Sequence, residues 1–160
     1  MSHRADFEIV SATTRHAVDL AGMYQAMYPG TESRIPDLER WLAAVIWNPQ
    51  AWLYIAYDRA THAGIGFLHA TVQIVPGLLG RQVTMEELYV DAKVQGQGVG
   101  KALFETIRDR CRDEGDVKVL QVRAPRGSDQ DPTEFYQKIG FEAFPMTIYR
   151  MPTPPKRHRS

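Results

Sequence analysis

The chain has 160 residues, enough for one domain with a real core, and an ordinary apolar fraction of 44%. Lys plus Arg and Asp plus Glu stand at 19 each, so no net field draws it to nucleic acid or to a membrane surface. A single cysteine excludes an internal disulfide, no apolar run approaches a membrane span, and the opening Met1-Ser2-His3-Arg4-Ala5-Asp6 lacks a signal-peptide core, which together fit a cytoplasmic domain.

Phe7 to Ser11 alternates as a first strand. Thr13 or Thr14 is placed to cap a helix running to about Tyr28, with Leu20, Tyr24, Met27 and Tyr28 on one face and Pro29-Gly30 as the stop. A second helix starts near Pro36, carries the stripe Leu38, Trp41, Leu42 and Val45, and ends at Asn48-Pro49. Trp52 to Tyr57, Ile65 to Val75 and Val83 to Val90 read as an antiparallel meander, turned at Asp58 to Gly64 and at Pro76-Gly77 with Gly80. Val99, Leu103, Ile107 and Cys111 set one apolar face of a third helix, and Val117 to Val122 is the strand after it, implying a right-handed parallel crossover. Asp131-Pro132-Thr133-Glu134 starts a short helix that Gly140 closes. Phe141 to Phe144 and Thr147 to Met151 read as two last strands, and residues 152–160 as a basic, proline-rich disordered tail. The order β-α-α-β-β-β-α-β-α-β-β predicts a mixed-sheet α+β domain over residues 5–151, with helices on both faces.

The most informative segment is Gln95-Gly96-Gln97-Gly98-Val99-Gly100, between a strand and a helix. Glycines let backbone N–H groups approach a ligand closely, and the helix start behind them carries partial positive charge. Together they make an anion site suited to a diphosphate. A P-loop is excluded, because its first glycine would be Gln95 and Lys101 is followed by Ala102. A dinucleotide fingerprint is excluded as well, because its third glycine would fall on Lys101 or Leu103.

What remains is Leu88-x-Val90 followed by Gln95-x-x-Gly98-x-Gly100, which resembles the acyl-CoA-binding loop of the GNAT superfamily of N-acetyltransferases. Phe135-Tyr136-Gln137-Lys138-Ile139-Gly140-Phe141 resembles that family's late F-Y-x-x-x-G-F segment, and the element order is similar from Phe7 to Met151. Arginine is commoner than Gln95 in the family, and proline commoner than Ala92, but neither departure removes a backbone donor. The resemblance implies transfer of an acetyl group from acetyl-CoA to a primary amine by direct attack in a ternary complex. It places acetyl-CoA against Leu88, Tyr89, Val90, Gln95, Gly96, Gln97, Gly98, Val99, Gly100 and Lys101. Ser128 stands where many relatives have a cofactor-contacting asparagine. It also implies that Tyr136 faces the thioester sulfur, where a phenol serves the leaving thiolate. Relatives are often dimers.

An ammonium group must lose a proton before it attacks. Glu86 is the first choice of base: some relatives carry a glutamate two residues before L-x-V, and strand alternation puts Glu86 on one face with Leu88 and Val90, and Glu87 with Tyr89 and Asp91 on the other. Tyr28, Glu32 and Glu87 are candidates for the acceptor side; Tyr28 and Glu32 lie, with Tyr24 and Trp41, in the two-helix segment that shapes the acceptor pocket in relatives. The acids Glu86, Glu87, Asp91, Asp129 and Asp131 favour a small cationic acceptor, polyamine-like or aminoglycoside-like, beside a protein amine. Arg123, Arg126, Lys156, Arg157 and Arg159 are either contacts to the CoA 3′-phosphate or solvated charges. Cys111 reads as core rather than nucleophile, and His69 as a sheet residue. His3, His16, His62, His69 and His158 form no close pair, so no metal is expected. A non-catalytic acyl-CoA sensor on the same fold is the alternative, and a nucleotide binder with a variant loop a third reading.

Overall fold

The computed structural model describes residues 5–30, 35–124 and 131–156. A five-stranded sheet runs in the order β1 (Phe7–Ser11), β2 (Ala51–Asp58), β3 (Gly64–Val75), β4 (Gly80–Val90) and β5 (Val117–Val122). The first four strands pair antiparallel, and β4 pairs with β5 in parallel, as the crossover through α3 (Val99–Glu114) requires. Helices α1 (Ala17–Met27) and α2 (Ile35–Ile46) cover one face, and α3 covers the other.

Each face has its own core. Leu20, Met23, Tyr24 and Leu42 pack on Leu53, Ile55 and Phe67 beneath α1 and α2. Val99, Leu103, Phe104, Ile107 and Cys111 pack on Leu68, Ala70, Val83 and Met85 beneath α3. Cys111 is thus a buried hydrophobe, and burial pushes its thiol up to about 11. Gly66 brings α3 onto the sheet: a Cβ there would lie 2.8 Å from the Tyr89 carbonyl oxygen and 3.2 Å from Val99 Cγ1. The C-terminal end of α3 is tied to β4 by Arg81, whose guanidinium donates to Asp116 and, at 2.6 Å, to Glu114.

Three sequence expectations need correction. Trp41 leaves the α2 stripe and is 64% exposed, with the Arg40 guanidinium 5.9 Å from its ring centre. In α4 (Thr133–Lys138) the N-cap is Pro132 rather than Asp131, which accepts from the Thr133 amide at 2.9 Å from one residue earlier, and Glu134 makes no capping box but pairs with Lys138 at 3.3 Å. Most importantly, the two last strands are not formed: residues 141–156 carry no strand, and among the described residues the sheet ends on β5. Pro145 offers no N–H between the two short runs, and the Met146 amide is spent locally on the Phe144 carbonyl at 2.8 Å. Phe144, Met146, Ile148, Tyr149 and Met151 are therefore exposed.

Candidate active site

The glycine loop has the backbone that its residues demand. Asp91 accepts from the Lys93 amide at 2.9 Å and starts a single 3-10 turn, Ala92–Val94. Gly96 and Gly98 then take φ of +78° and +85°, left-handed values that cost an ordinary residue free energy. Gly98 is the N-cap of α3, and Ala102 is the first amide to bond back, to the Gly98 carbonyl at 3.0 Å. The amides of Val99, Gly100 and Lys101 therefore have no acceptor within the helix. No atom outside the loop lies within 4 Å of a Cβ built on Gly96 or Gly98, so the cradle is open to a ligand. Gln97 is drawn aside, its side-chain carbonyl accepting from the Ala5 amide at 2.5 Å. Gln95 extends its side chain towards the Val90 carbonyl at 3.5 Å.

Beside the loop, β4 and β5 part company. Their pairing ends at Met85 with Val122, whereas β3 follows β4 as far as Val90. The edge of β4 from Glu86 to Val90 thus turns backbone groups towards a gap that β5 does not fill. Leu88 and Val90 pack towards α3, and Tyr89 lies on the opposite face, its ring stacked on Phe67 at 5.8 Å. On the far side of the loop stands α4. Phe135 approaches Gly100 so closely that a Cβ there would meet its ring at 3.6 Å. Tyr136 follows, half-buried, edge-on to Phe135 and Phe141 at 5.4 and 5.7 Å. Burial raises its phenol, which keeps its proton at neutral pH.

A β-bulge overturns the alternation expected of the two glutamates. The β3–β4 register pairs Ala70 with Met85 and His69 with Glu87, leaving Glu86 as the extra residue. Glu86 therefore leaves the face of Leu88 and Val90. It accepts from the Thr71 hydroxyl at 2.6 Å and lies 3.2 Å from the Arg123 guanidinium. Thr71 shares a face of β3 with Phe67 and His69, so both glutamates lie on the α1 side of the sheet.

Glu87 is the hub there. Tyr24 donates to its Oε1 and Tyr28 to its Oε2, each at 2.7 Å, and His69 Nδ1 lies 3.1 Å from Oε1. Burial alone would raise the Glu87 carboxyl, but donation from His69, Tyr28 and Tyr24 outweighs it and holds the group below the ordinary carboxylate range. The same arrangement pushes Tyr28 up to about 12, first through burial and then through the carboxylate, and raises the more deeply buried Tyr24 further. Sequence alone puts Tyr24 in the acceptor segment without a role of its own and reads His69 as a sheet residue, although two tyrosines four residues apart on one helix are a readable signal of paired phenols. Glu87→Ala leaves the Tyr24 hydroxyl buried without this acceptor and is expected to cost about 1–3 kcal/mol of stability in urea unfolding at neutral pH. The carboxyl is lowered on folding, so its contribution is full above the unfolded value and is lost as pH falls through the folded one. The wild-type advantage should therefore shrink below about pH 4.

Glu32 and Ser128 lie outside the described residues, as do Arg126, Asp129, Arg157 and Arg159. Lys101 is exposed, 3.9 Å from Glu105. Two concavities lie elsewhere. One of about 680 Å³ lies on the outer surface of α3 by Thr106 and Asp113, and one of about 330 Å³ lies between Trp47, Trp52 and Arg110. Neither touches the glycine loop or Glu87.

Residues 49–143, more than half of the chain, match the family model described as the acetyltransferase (GNAT) domain. The chain belongs to the GNAT family of acetyltransferases. Within that family it is 37% identical over 70 residues to the GCN5-related N-acetyltransferase 2, chloroplastic, of Arabidopsis thaliana, a match covering 42% of this chain and 24% of that protein. It thus spans about a quarter of the length of that curated relative. Among solved structures, the fold is similar to that of a ribosomal-protein-alanine N-acetyltransferase from Brucella melitensis biovar Abortus, with a TM-score of 0.76 at 22% identity over 92% of this chain and 99% of that one. It is likewise similar to an aminoglycoside acetyltransferase from an uncultured soil metagenomic sample, with a TM-score of 0.78 at 19% identity over 93% and 97% of the two chains. GNAT acetyltransferases use acetyl-CoA, and the open glycine cradle with its unbonded helix amides fits a diphosphate. Among the described residues no helix is long and apolar enough to cross a membrane, and no three His, Cys, Asp or Glu side chains group as metal ligands.

Proposed function

We propose that this domain is an acetyl-CoA-dependent N-acetyltransferase acting on a primary amine, by direct attack within a ternary complex. The observation that carries the reading is a convergence. The stretch of β4 that β5 leaves unpaired carries Glu86 and Glu87, leads into the amide cradle at the start of α3, and has Tyr136 packed with the core on the α3 side. In this reading Gln95 to Lys101 hold the diphosphate, and Leu88 to Val90 offer backbone groups to the pantetheine arm and the thioester carbonyl, where developing negative charge needs donors. Tyr136 faces the sulfur and serves the departing thiolate. Ser128 remains a proposed cofactor contact, and Glu32 a proposed acceptor contact.

On the acceptor side, Glu87 and the Tyr28 phenol form an anionic, aromatic landing place for an ammonium group. That chemistry favours a small cationic molecule, polyamine-like or aminoglycoside-like, and an exposed protein amine presents the same group. Glu86 can serve as base only if its carboxylate is released from Arg123. A cytoplasmic setting supplies the acyl donor and suits the single buried thiol.

The test is a steady-state thiol-release assay with acetyl-CoA and three acceptors: spermidine, kanamycin and a peptide with an N-terminal alanine. Turnover with any of them, together with thermal stabilisation by CoA, is the expected result. Stabilisation by CoA without turnover would favour a sensor instead. Stabilisation by ATP or NAD alone would reject both.

A further inference from the structure

The sheet ends on a strand whose residues suit a neighbour on either side. Four of the six residues of β5, Val117, Val119, Leu120 and Val122, are apolar, yet among the described residues β4 is its sole partner. Proteins that leave a strand edge in water blunt it, with charges above all. Beyond Lys118 the run Val119 to Val122 carries no charge, and Val117, Leu120 and Val122 are only partly covered by the core beneath α3. The same chain carries a matching segment. Phe141 is held against Phe104 and Tyr136 at 5.4 and 5.7 Å, and every residue from 142 to 156 is then exposed. Phe144, Met146, Ile148, Tyr149 and Met151 are between 55 and 91% exposed. Within this segment Thr147 to Met151 is a run of strand-forming side chains bracketed by Pro145 and Pro152. An apolar run left in water and a strand edge without a neighbour are both unfavourable, and one pairing relieves both.

We propose that this chain forms a symmetric dimer in which residues 142–151 of each copy leave their own domain, and Thr147 to Met151 lies along β5 of the other copy. Pairing within one chain is the alternative, and the structure does not take it. The segment makes a local backbone bond, from the Met146 amide to the Phe144 carbonyl at 2.8 Å, and among the described residues none to β5. The area suits a dimer. Five large side chains exposed to this degree offer on the order of 100 Å² each. Reciprocal docking then withdraws on the order of 1,000 Å² from these side chains alone, and the β5 edges they cover bring the total to the ~1,200–2,000 Å² of a specific, stable interface. A net charge of zero adds no repulsion between copies. Exchange is also self-limiting: each copy gives one segment and receives one, so assembly closes at two chains. The new outer edge is short, carries Arg150 and is flanked by prolines, which discourages further pairing. This dimer stands apart from the acetyltransferase reading and does not depend on it.

Light scattering on the full chain as it leaves a sizing column, at several loading concentrations, tests the pairing beside hydrogen exchange. Adjacent residues of a strand turn their amides to opposite edges, so one of Ile148→Pro and Tyr149→Pro must remove a hydrogen bond to β5. Both side chains are more than half exposed, so neither variant should unfold the domain, which circular dichroism checks. The wild type should have the mass of two chains, with the amides of Thr147 to Met151 slow to exchange. At least one proline variant should raise the dimer dissociation constant by about 10-fold or more, because in a symmetric pair the bond is lost twice. The same variant should return those amides to fast exchange. A monomeric wild type overturns the proposal: slow amides would then mean that the segment folds back onto its own β5, and fast ones that it stays free. Dimers of unchanged strength in both proline variants would put the interface on another face. Open-ended oligomers would mean that the exchange is not reciprocal, and either result defeats the proposal.

Discussion

Tyr136→Phe should lower kcat by about 100-fold while leaving acetyl-CoA affinity within a factor of two. The substitution removes one oxygen and keeps the ring that packs edge-on against Phe135 and Phe141, so α4 should stay docked beside Gly100. Acetyl-CoA binding, which the proposed reading assigns to the loop amides, should not change. The chemistry should. A thiolate leaving without a proton or a hydrogen bond is a poorer leaving group, and the collapsing intermediate then expels the amine instead. The raised phenol is a weaker acid than the thiol it serves, so full transfer is unfavourable unless the proton is replaced at once. The attacking nitrogen, positively charged after addition, is the natural source. The loss should therefore fall on kcat and kcat/KM together, the mark of a contact made in the transition state. Wild-type kcat in this variant would remove Tyr136 from the chemistry, and a large rise in the dissociation constant for acetyl-CoA would reassign it to binding.

What could be read from the sequence, and what could not, follows from the range of the forces involved. The loop was legible because its requirement is local: left-handed φ at Gly96 and Gly98 leaves glycine in the sequence itself. The stripe Val99, Leu103, Ile107 and Cys111 was legible for the same reason, since one period serves one buried face. The acceptor side was legible only in part: Tyr28 and Glu87 are candidates by sequence, but their meeting with Tyr24 and His69 is made by pairing. Regular pairing from the Pro76-Gly77 turn would set His69 opposite Glu86, and the bulge sets it opposite Glu87 instead. No property of residues 85 to 87 taken alone reveals that slip. The same blindness to partners explains the last strands. Phe141 to Phe144 and Thr147 to Met151 have strand-like side chains, but a strand exists only where a neighbour accepts its hydrogen bonds. Glu86 and Tyr136 are candidates by resemblance, and the bulge surrounds Glu86 with partners that strand alternation does not predict.

Gly98→Val should raise the dissociation constant for acetyl-CoA by about 10- to 100-fold, and Gly100→Ala should serve as its contrast. Gly98 sits at φ +85° with open space around its missing Cβ, so a valine meets no wall. Its penalty is purely conformational, about 1–2 kcal/mol for an L-residue held left-handed, and greater for a branched one. The chain has two ways out. It can hold the strained turn and lose that much stability, or it can relax the turn and swing the amides at the head of α3 out of line. Relaxation removes at least one charge-assisted hydrogen bond to the diphosphate, worth about 1.5–3 kcal/mol, which is the source of the expected loss. Gly100 differs in both respects. It lies inside α3, where alanine is preferred over glycine by about 1 kcal/mol, and its Cβ would meet Val90 and Phe135 at ordinary contact distances of 3.5 to 3.8 Å. Gly100→Ala should therefore stabilise the free protein slightly and change acetyl-CoA binding far less than Gly98→Val. Titration calorimetry with CoA beside urea unfolding separates the two effects. Equal binding by Gly98→Val and wild type would mean that the diphosphate is held somewhere other than the head of α3.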